Sequence, residues 1–174
     1  MDLDDLGDRL CIIGPSSSGK STLAAAIGRA RGMRVVHLDQ YRHLPGRHWV
    51  ERGDDEFAAL HAAAIAGECW VIEGNYSRWL PERLDRATGL IALESTTTAT
   101  VIRYLHRTWS GQERVGGLEE TRDRVSLAML RFLLGPSRRS RGRCRRLHEE
   151  SAVPSVLLPD RAALDRFARA NGLR

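Results

Sequence analysis

The sequence predicts an α/β fold: a parallel sheet covered by helices on both faces. Three observations predict it. Short apolar runs alternate with helical patterns along the chain, as they do in layered α/β proteins. The interiors of those runs are almost continuously apolar, as strands buried on both faces must be. The first run passes through a glycine-rich turn, "GPSSSGKS" from Gly14 to Ser21, directly into a helix.

Taken in order, "RLCIIG" is a buried strand ending in glycine. "KSTLAAAIGRARG" is rich in alanine and leucine and stops at Gly32, which reads as a helix. "MRVVHLD" is a second strand. "QYRHLPGRHW" holds proline and glycine without a clear period and reads as a loop. "DDEFAALHAAAIAG" is a helix with acidic residues in its first turn and Gly67 after its end. "CWVIEG" is a third strand, "NYSRW" a loop, "LPERLDRA" a short helix and "GLIALE" a fourth strand. "TTTATVIRYLHRTW" reads as a helix capped by one of its threonines, and "SGQERVGG" as a break. "LEETRDRVSLAMLRFLLG" is a strongly periodic helix. "PSRRSRGRCRR" is a basic stretch. "SVLL", bounded by Pro154 and Pro159, is a fifth strand, and "DRAALDRFARANG" a last helix capped by Asp160.

At 174 residues the chain is long enough for one well-cored domain, 1–174, and too short for two. Hydrophobic residues make up 42% and charged residues 28%, the ordinary balance of a soluble globular protein. No apolar run approaches the roughly 20 residues that a membrane span needs. The acidic start "MDLDDLGDRL" lacks the basic-then-apolar make-up of a secretory signal. The cytoplasm is the expected compartment. Cys11, Cys69 and Cys144 form no CxxC pair, which speaks against a zinc site or redox motif. Cys11 and Cys69 fall inside runs that read as strands, so buried, inert thiols are expected. The net charge of +5 concentrates between Arg103 and Arg146. Such a stripe attracts phosphate, on a nucleotide, a nucleic acid or a membrane, and composition alone does not choose between them.

"GPSSSGKS" matches G-x-x-x-x-G-K-[ST] completely, and it sits between an apolar strand and a helix, as the mechanism of that motif requires. Backbone N–H groups of such a turn, with the helix N-terminus, cradle phosphate oxygens. Gly14, Ser16, Ser17, Ser18, Gly19, Lys20, Ser21 and Thr22 are therefore the expected ATP cradle. Lys20 is the chain's single lysine. It would reach the β- and γ-phosphates as a compact charge that a planar guanidinium does not replace. The Ser21 hydroxyl would ligate Mg²⁺.

In an open α/β sheet, ligands bind beyond the carboxyl ends of the strands. Asp39, Glu73 and Glu94 are each the first charged residue after an apolar run. Each either faces the crevice or caps the turn that follows. Asp39 can take the proton of an acceptor hydroxyl or hold a magnesium water. Glu73 occupies the place where an acid orients hydrated Mg²⁺. The loop after Asp39, with Tyr41, Arg42, His43, Arg47, His48 and Trp49, reads either as an acceptor pocket or as a polar surface loop. "EGNYSRW" reads either as another wall of the acceptor pocket or as an ordinary turn: Gly74 permits close approach, Asn75 and Tyr76 can hydrogen-bond, and Arg78 can bind an anion.

Arg103 and Arg107 lie four apart and share one helix face. Arginines that close over a transferring phosphoryl group stabilise its spread charge, and a flap that carries them excludes water. Arg131 on the next helix can join them. The run from Arg138 to Arg146 reads three ways: an acceptor clamp, a contact for nucleic acid, or a disordered basic loop. It has no interleaved aromatics, which speaks against stacking on single strands.

The pieces "IIGPSSSGKSTLA", "VVHLDQYRHLPGRHW", "WVIEGNYSR" and "LIALE", followed by the helix with Arg103 and Arg107, cover nearly the whole chain. Together they resemble the adenylate-kinase-like P-loop kinases, in particular the small bacterial proteins labelled topology modulation proteins. The resemblance implies the P-loop nucleoside-triphosphate hydrolase fold. Its sheet would have five parallel strands in the order 2-3-1-4-5, with an arginine-bearing lid spanning about 108–148. It implies ATP and Mg²⁺ as cofactors and Asp39 near the acceptor. "EGNYSR" is similar to the stretch of adenylate kinases whose arginine binds the acceptor nucleotide's phosphate, which implies that role for Arg78. The expected function is that of a kinase moving the γ-phosphoryl of Mg·ATP to a small molecule, such as a nucleoside, a nucleotide or an antibiotic-like metabolite. The alternative is an ATP-regulated protein that binds nucleic acid. No membrane partner is expected, and the chain would act as a monomer or homodimer.

Overall fold

The computed structural model describes residues 1–47, 50–96, 100–102 and 136–173, with 136–141 described by backbone alone. Five strands, β1 (Arg9–Ile13), β2 (Arg34–His37), β3 (Trp70–Glu73), β4 (Gly89–Leu93) and β5 (Ser155–Leu158), form one sheet in the order β2-β3-β1-β4-β5. Every pairing is parallel. Both features agree with the expectation. The helices are α1 (Lys20–Arg31), α2 (Leu38–Arg42), α3 (Asp54–Ile65), α4 (Leu80–Arg86), α5 (Pro136–Glu149) and α6 (Arg161–Ala170).

The unbroken apolar runs have a direct cause. Successive side chains of a strand point to opposite faces, and here both faces are covered. Leu10 and Ile12 of β1 join Val71, Ile91 and Leu93 in a cluster with Leu23 and Ile27 of α1 and Leu164 and Phe167 of α6. Cys11 and Ile13 point the other way. They meet Trp70, Ile72, Leu90 and Ala92, packed on Phe57 and Ala64 of α3, Leu80 of α4 and Cys144 of α5. Each large apolar side chain buried in this way contributes about 1.5–3 kcal/mol. The last helix starts as expected, with Asp160 accepting a hydrogen bond from the Ala163 N–H at 2.7 Å.

Three expectations are corrected. Cys69 is exposed; it lies in the turn before β3, which starts at Trp70, whose indole N–H bonds the Gly67 carbonyl. The stretch after β2 is not all loop. Leu38 is fully buried and starts the single turn of α2. The rest of that stretch is closed by backbone bonds from Leu44 N–H to Val50 O at 2.8 Å and from Arg52 N–H to Arg42 O at 2.7 Å. His48 and Trp49 lie outside the described residues. The basic run is also not a disordered loop but the helix α5. Cys144 and Leu147, three apart and so on one face, seat it on the sheet. Burial there raises the Cys144 thiol to about 11. The last turns of the span expected as a lid therefore pack against β4 and β5. Among the described residues, no helix is long and apolar enough to cross a membrane.

Candidate active site at the carboxyl ends of the strands

The loop between β1 and α1 starts with a close approach. A Cβ on Gly14 would lie 2.9 Å from both the Leu93 side chain and the Leu93 carbonyl oxygen, so only glycine fits there. At the other end Gly19 caps α1 with φ +102, a conformation that side chains rarely adopt. Between them the Ser18 N–H closes a turn onto Pro15 O. Lys20 lies back across this loop, its ammonium 2.8 Å from the Pro15 carbonyl. The first N–H groups of α1 have no partner within the helix and carry its positive dipole end. The Ser17 and Ser18 hydroxyls are buried without a hydrogen-bond partner among the described residues. A buried hydroxyl without a partner costs about 1–3 kcal/mol. Anionic oxygens entering the loop would satisfy both hydroxyls and the helix N–H groups together, so this loop fits a phosphate chain. Ser16 is half-buried beside them and Thr22 is exposed on α1.

Glu73 ends β3 and is buried. The Ser21 hydroxyl donates to its Oε1 at 2.9 Å, and the His37 Nδ1 lies 2.9 Å from the same oxygen. Burial alone would raise the Glu73 carboxyl. The His37 hydrogen bond, the Lys20 charge and the Ser21 hydroxyl outweigh it and hold the carboxyl below its ordinary value. An ionised carboxylate is therefore kept beside a hydroxyl at the mouth of the phosphate loop. Oxygen donors of this kind suit Mg²⁺, so Ser21 and Glu73 fit the ion assigned to them. Among the described residues, no cluster of three or more histidine, cysteine, aspartate or glutamate side chains is arranged to hold a metal by itself.

Asp39 lies in the first turn of α2. The Tyr76 hydroxyl donates to its Oδ1 at 2.8 Å. Burial, then the Asp39 charge, push the Tyr76 phenol far above its ordinary value, so it stays a donor. Tyr76 is itself held at φ +30 and stacks on Phe57 with ring centres 5.1 Å apart. Gly74 links β3 to this turn, with its N–H on Ile12 O at 3.2 Å. Asn75 does not point to an open acceptor side. Its carboxamide meets the backbone of Gly14, accepting from N–H at 3.1 Å and donating to the carbonyl at 3.0 Å.

Arg42 is held by the protein itself. Its guanidinium binds Asp54 at 2.8 Å and Glu51 at 2.7 Å, and it lies over the Phe57 and Trp79 rings. The Asp54 and Glu51 hydrogen bonds raise the Arg42 pKa, and Arg42 in turn lowers that of Asp54. Arg78 is 70% exposed, pairs with the far oxygen of Asp54 and covers Trp79. Glu94, after β4, is bound by both Nε and Nη2 of Arg145, the shorter contact being 2.7 Å. Arg143 donates to the Ser77 hydroxyl at 2.6 Å. Arg103, Arg107 and Arg131 lie outside the described residues, as do the side chains of Arg138, Arg139 and Arg141.

No protein-family model and no curated protein matches the sequence. Solved structures do. One is a gluconokinase from Sinorhizobium meliloti 1021, at 18% identity and a TM-score of 0.56, over 97% of this chain and 95% of that one. Another is a shikimate kinase from Acinetobacter baumannii in complex with shikimate, at 14% identity and a TM-score of 0.59, over 95% and 92%. The chain has a P-loop kinase fold. The likeness runs over nearly the whole chain; it shows the fold and not the narrower resemblance to topology modulation proteins.

The sequence reading missed His37 as a partner of Glu73. It sits directly across from Glu73 in the β2–β3 register. The signal exists in the sequence, since "HLD" ends β2 as "IEG" ends β3, but it becomes legible only once the two strands are known to be neighbours.

Proposed function

We propose that the protein is an ATP-dependent phosphotransferase. It moves the γ-phosphoryl of Mg·ATP to a hydroxyl of a small molecule, such as a nucleoside, a nucleotide or an antibiotic-like metabolite. One observation carries the reading: the Ser21 hydroxyl and the ionised Glu73 converge beside a phosphate loop whose buried hydroxyls have no partner. The kinases that share this fold support it.

In this reading the loop from Gly14 to Thr22 holds the phosphate chain of ATP, with Lys20 swinging from Pro15 O onto the β- and γ-oxygens. Ser21 and Glu73 would hold Mg²⁺, which when bound would supply neutralising charge to the phosphates. Asp39, steadied by Tyr76, accepts the proton as the acceptor oxygen bonds to phosphorus and the bond to the β-phosphate oxygen breaks. Arg78 leaves Asp54 to bind an anionic group of the acceptor. Arg103 and Arg107, just before the lid proposed for about 108–148, and Arg131, within it, close over the moving group, and the lid keeps water out.

The test is to incubate the full chain with ATP, Mg²⁺ and a panel of hydroxyl-bearing acceptors and to follow phosphorylated product. A matching acceptor raises ADP formation well above background. Asp39→Asn removes that rise and leaves ATP binding intact. Acceptor-dependent turnover that survives Asp39→Asn would reject Asp39 as the proton acceptor, and a protein that does not bind Mg·ATP would reject the kinase reading.

A further inference from the structure

Arg83, on α4, is fully buried. Such a guanidinium normally faces a carboxylate, because burying an unpaired charge costs several kcal/mol. Here its Nη2 donates instead to the main-chain carbonyl of Asn75 at 3.0 Å, while Nε and Nη1 have no hydrogen-bond partner among the described residues. Its other neighbours are the Cys11 thiol of β1 and the His61 ring of α3. This is a costly way to fix one carbonyl, and the carbonyl belongs to the residue that touches the phosphate loop.

The Asn75 contact has an unusual form. The β1–β3 ladder runs to the pair Ile12–Glu73, and its last bond is from Gly74 N–H to Ile12 O. Beyond that point the two chains separate. The Asn75 carboxamide then bonds to both the N–H and the carbonyl of Gly14. A primary amide carries the same donor and acceptor as a peptide group. The side chain therefore prolongs the ladder by one step and fixes the first residue of the phosphate loop.

We propose that Asn75 and Arg83 are positioning residues for the phosphate loop: the carboxamide sets Gly14, and the buried guanidinium sets Asn75. The proposal rests on the donor-site reading above. It goes beyond it by assigning loop geometry to a residue just past the end of another strand and to a helix behind the sheet. The next residue, Tyr76, holds Asp39, so one short turn serves both sides of the site.

The test uses the full chain with Asn75→Ala, Arg83→Met and the double variant. Arg83→Met replaces a buried charge by an apolar side chain of similar length, a change that folded proteins tolerate. Mg·ATP affinity is measured by calorimetry, thermal stability by melting, and amide exchange by mass spectrometry. Asn75→Ala is expected to weaken Mg·ATP by about tenfold, the scale of one or two hydrogen bonds. Arg83→Met weakens it less, and the double variant matches Asn75→Ala alone, because Arg83 acts through Asn75. Without any nucleotide, exchange speeds up at 14–19 in each variant and stays unchanged in α6. Three results overturn the proposal: wild-type affinity in Asn75→Ala with only a lowered melting point, additive losses in the double variant, or unchanged exchange at the loop. Should the wild type itself not bind Mg·ATP, the donor reading falls, and the exchange arm still decides the proposal.

Discussion

Glu73 ends β3 and Glu94 follows β4, the strands on either side of β1, and both are the first charged residue after an apolar run. Their surroundings are opposite. Glu73 is met by a hydroxyl and an imidazole, with the Lys20 charge nearby but its ammonium bonded to Pro15 O, while Glu94 is gripped by a guanidinium through two bonds. An arginine cancels a carboxylate's charge and uses its lone pairs in a fixed fork. A serine hydroxyl cancels nothing. Glu73 thus keeps negative charge at the mouth of the phosphate loop, and Glu94 spends its own on fastening α5 to the end of β4. The partner, rather than the position, decides which acid can attract a cation.

The largest expected effect breaks that contrast directly. Glu73→Gln keeps the shape and removes the charge. Acceptor-dependent turnover should fall by at least about a hundredfold, the scale of lost electrostatic stabilisation at a metal and phosphate site. The Mg²⁺ concentration needed for half-maximal rate should rise. Glu94→Gln should change turnover by less than about fivefold, since its half-exposed partner Arg145 makes the pair worth little. Steady-state rates across a Mg²⁺ series measure both, and similar losses in the two variants would mean that the contrast carries no function.

A smaller effect concerns the lysine facing Glu73. Lys20→Arg keeps the charge, but a planar fork lacks the compact reach of an ammonium lying across the loop. Turnover should fall by roughly tenfold to a hundredfold, with Mg·ATP affinity less affected. An active arginine variant would show that any cation serves at this position.

The strands, their parallel pairing and the phosphate loop were legible because each rests on local pattern. Unbroken apolar runs mean burial on both faces, and the spacing of Gly14, Gly19, Lys20 and Ser21 has few other uses. The roles of Asn75, Arg42 and His37 were not legible, because each depends on a partner far along the chain. Asn75 looked like an acceptor ligand, yet its carboxamide acts as a piece of backbone for Gly14. Arg42 looked like part of an acceptor pocket, yet Asp54 and Glu51 arrive from beyond the loop to take its guanidinium. His37 meets Glu73 only because of strand order. Helix α5 was hidden by its composition: the arginines dominate the stretch, and only Cys144 and Leu147 mark the face that packs.

The smallest expected effect extends the same contrast to histidines. His37 lies against a carboxylate. His61, fully buried on α3, lies near Arg83, with the exposed Glu82 carboxylate at 3.7 Å. Burial first, and then the Arg83 charge, lower the His61 pKa from 6.5 to about 4. Between those values the unfolded chain binds a proton that the folded chain refuses, so stability rises with pH across that window. The contribution is fully present above about pH 6.5, declines as pH falls and is gone near pH 4; it amounts to about 2 kcal/mol between pH 7 and pH 5. His61→Leu removes the titrating ring together with two ring nitrogens that have no hydrogen-bond partner. Urea unfolding at pH 7 and pH 5 should then differ by about 2 kcal/mol less than in the wild type. An unchanged difference would mean that the ring takes its proton in the folded protein as readily as in the unfolded chain, with Glu82 rather than Arg83 governing its charge.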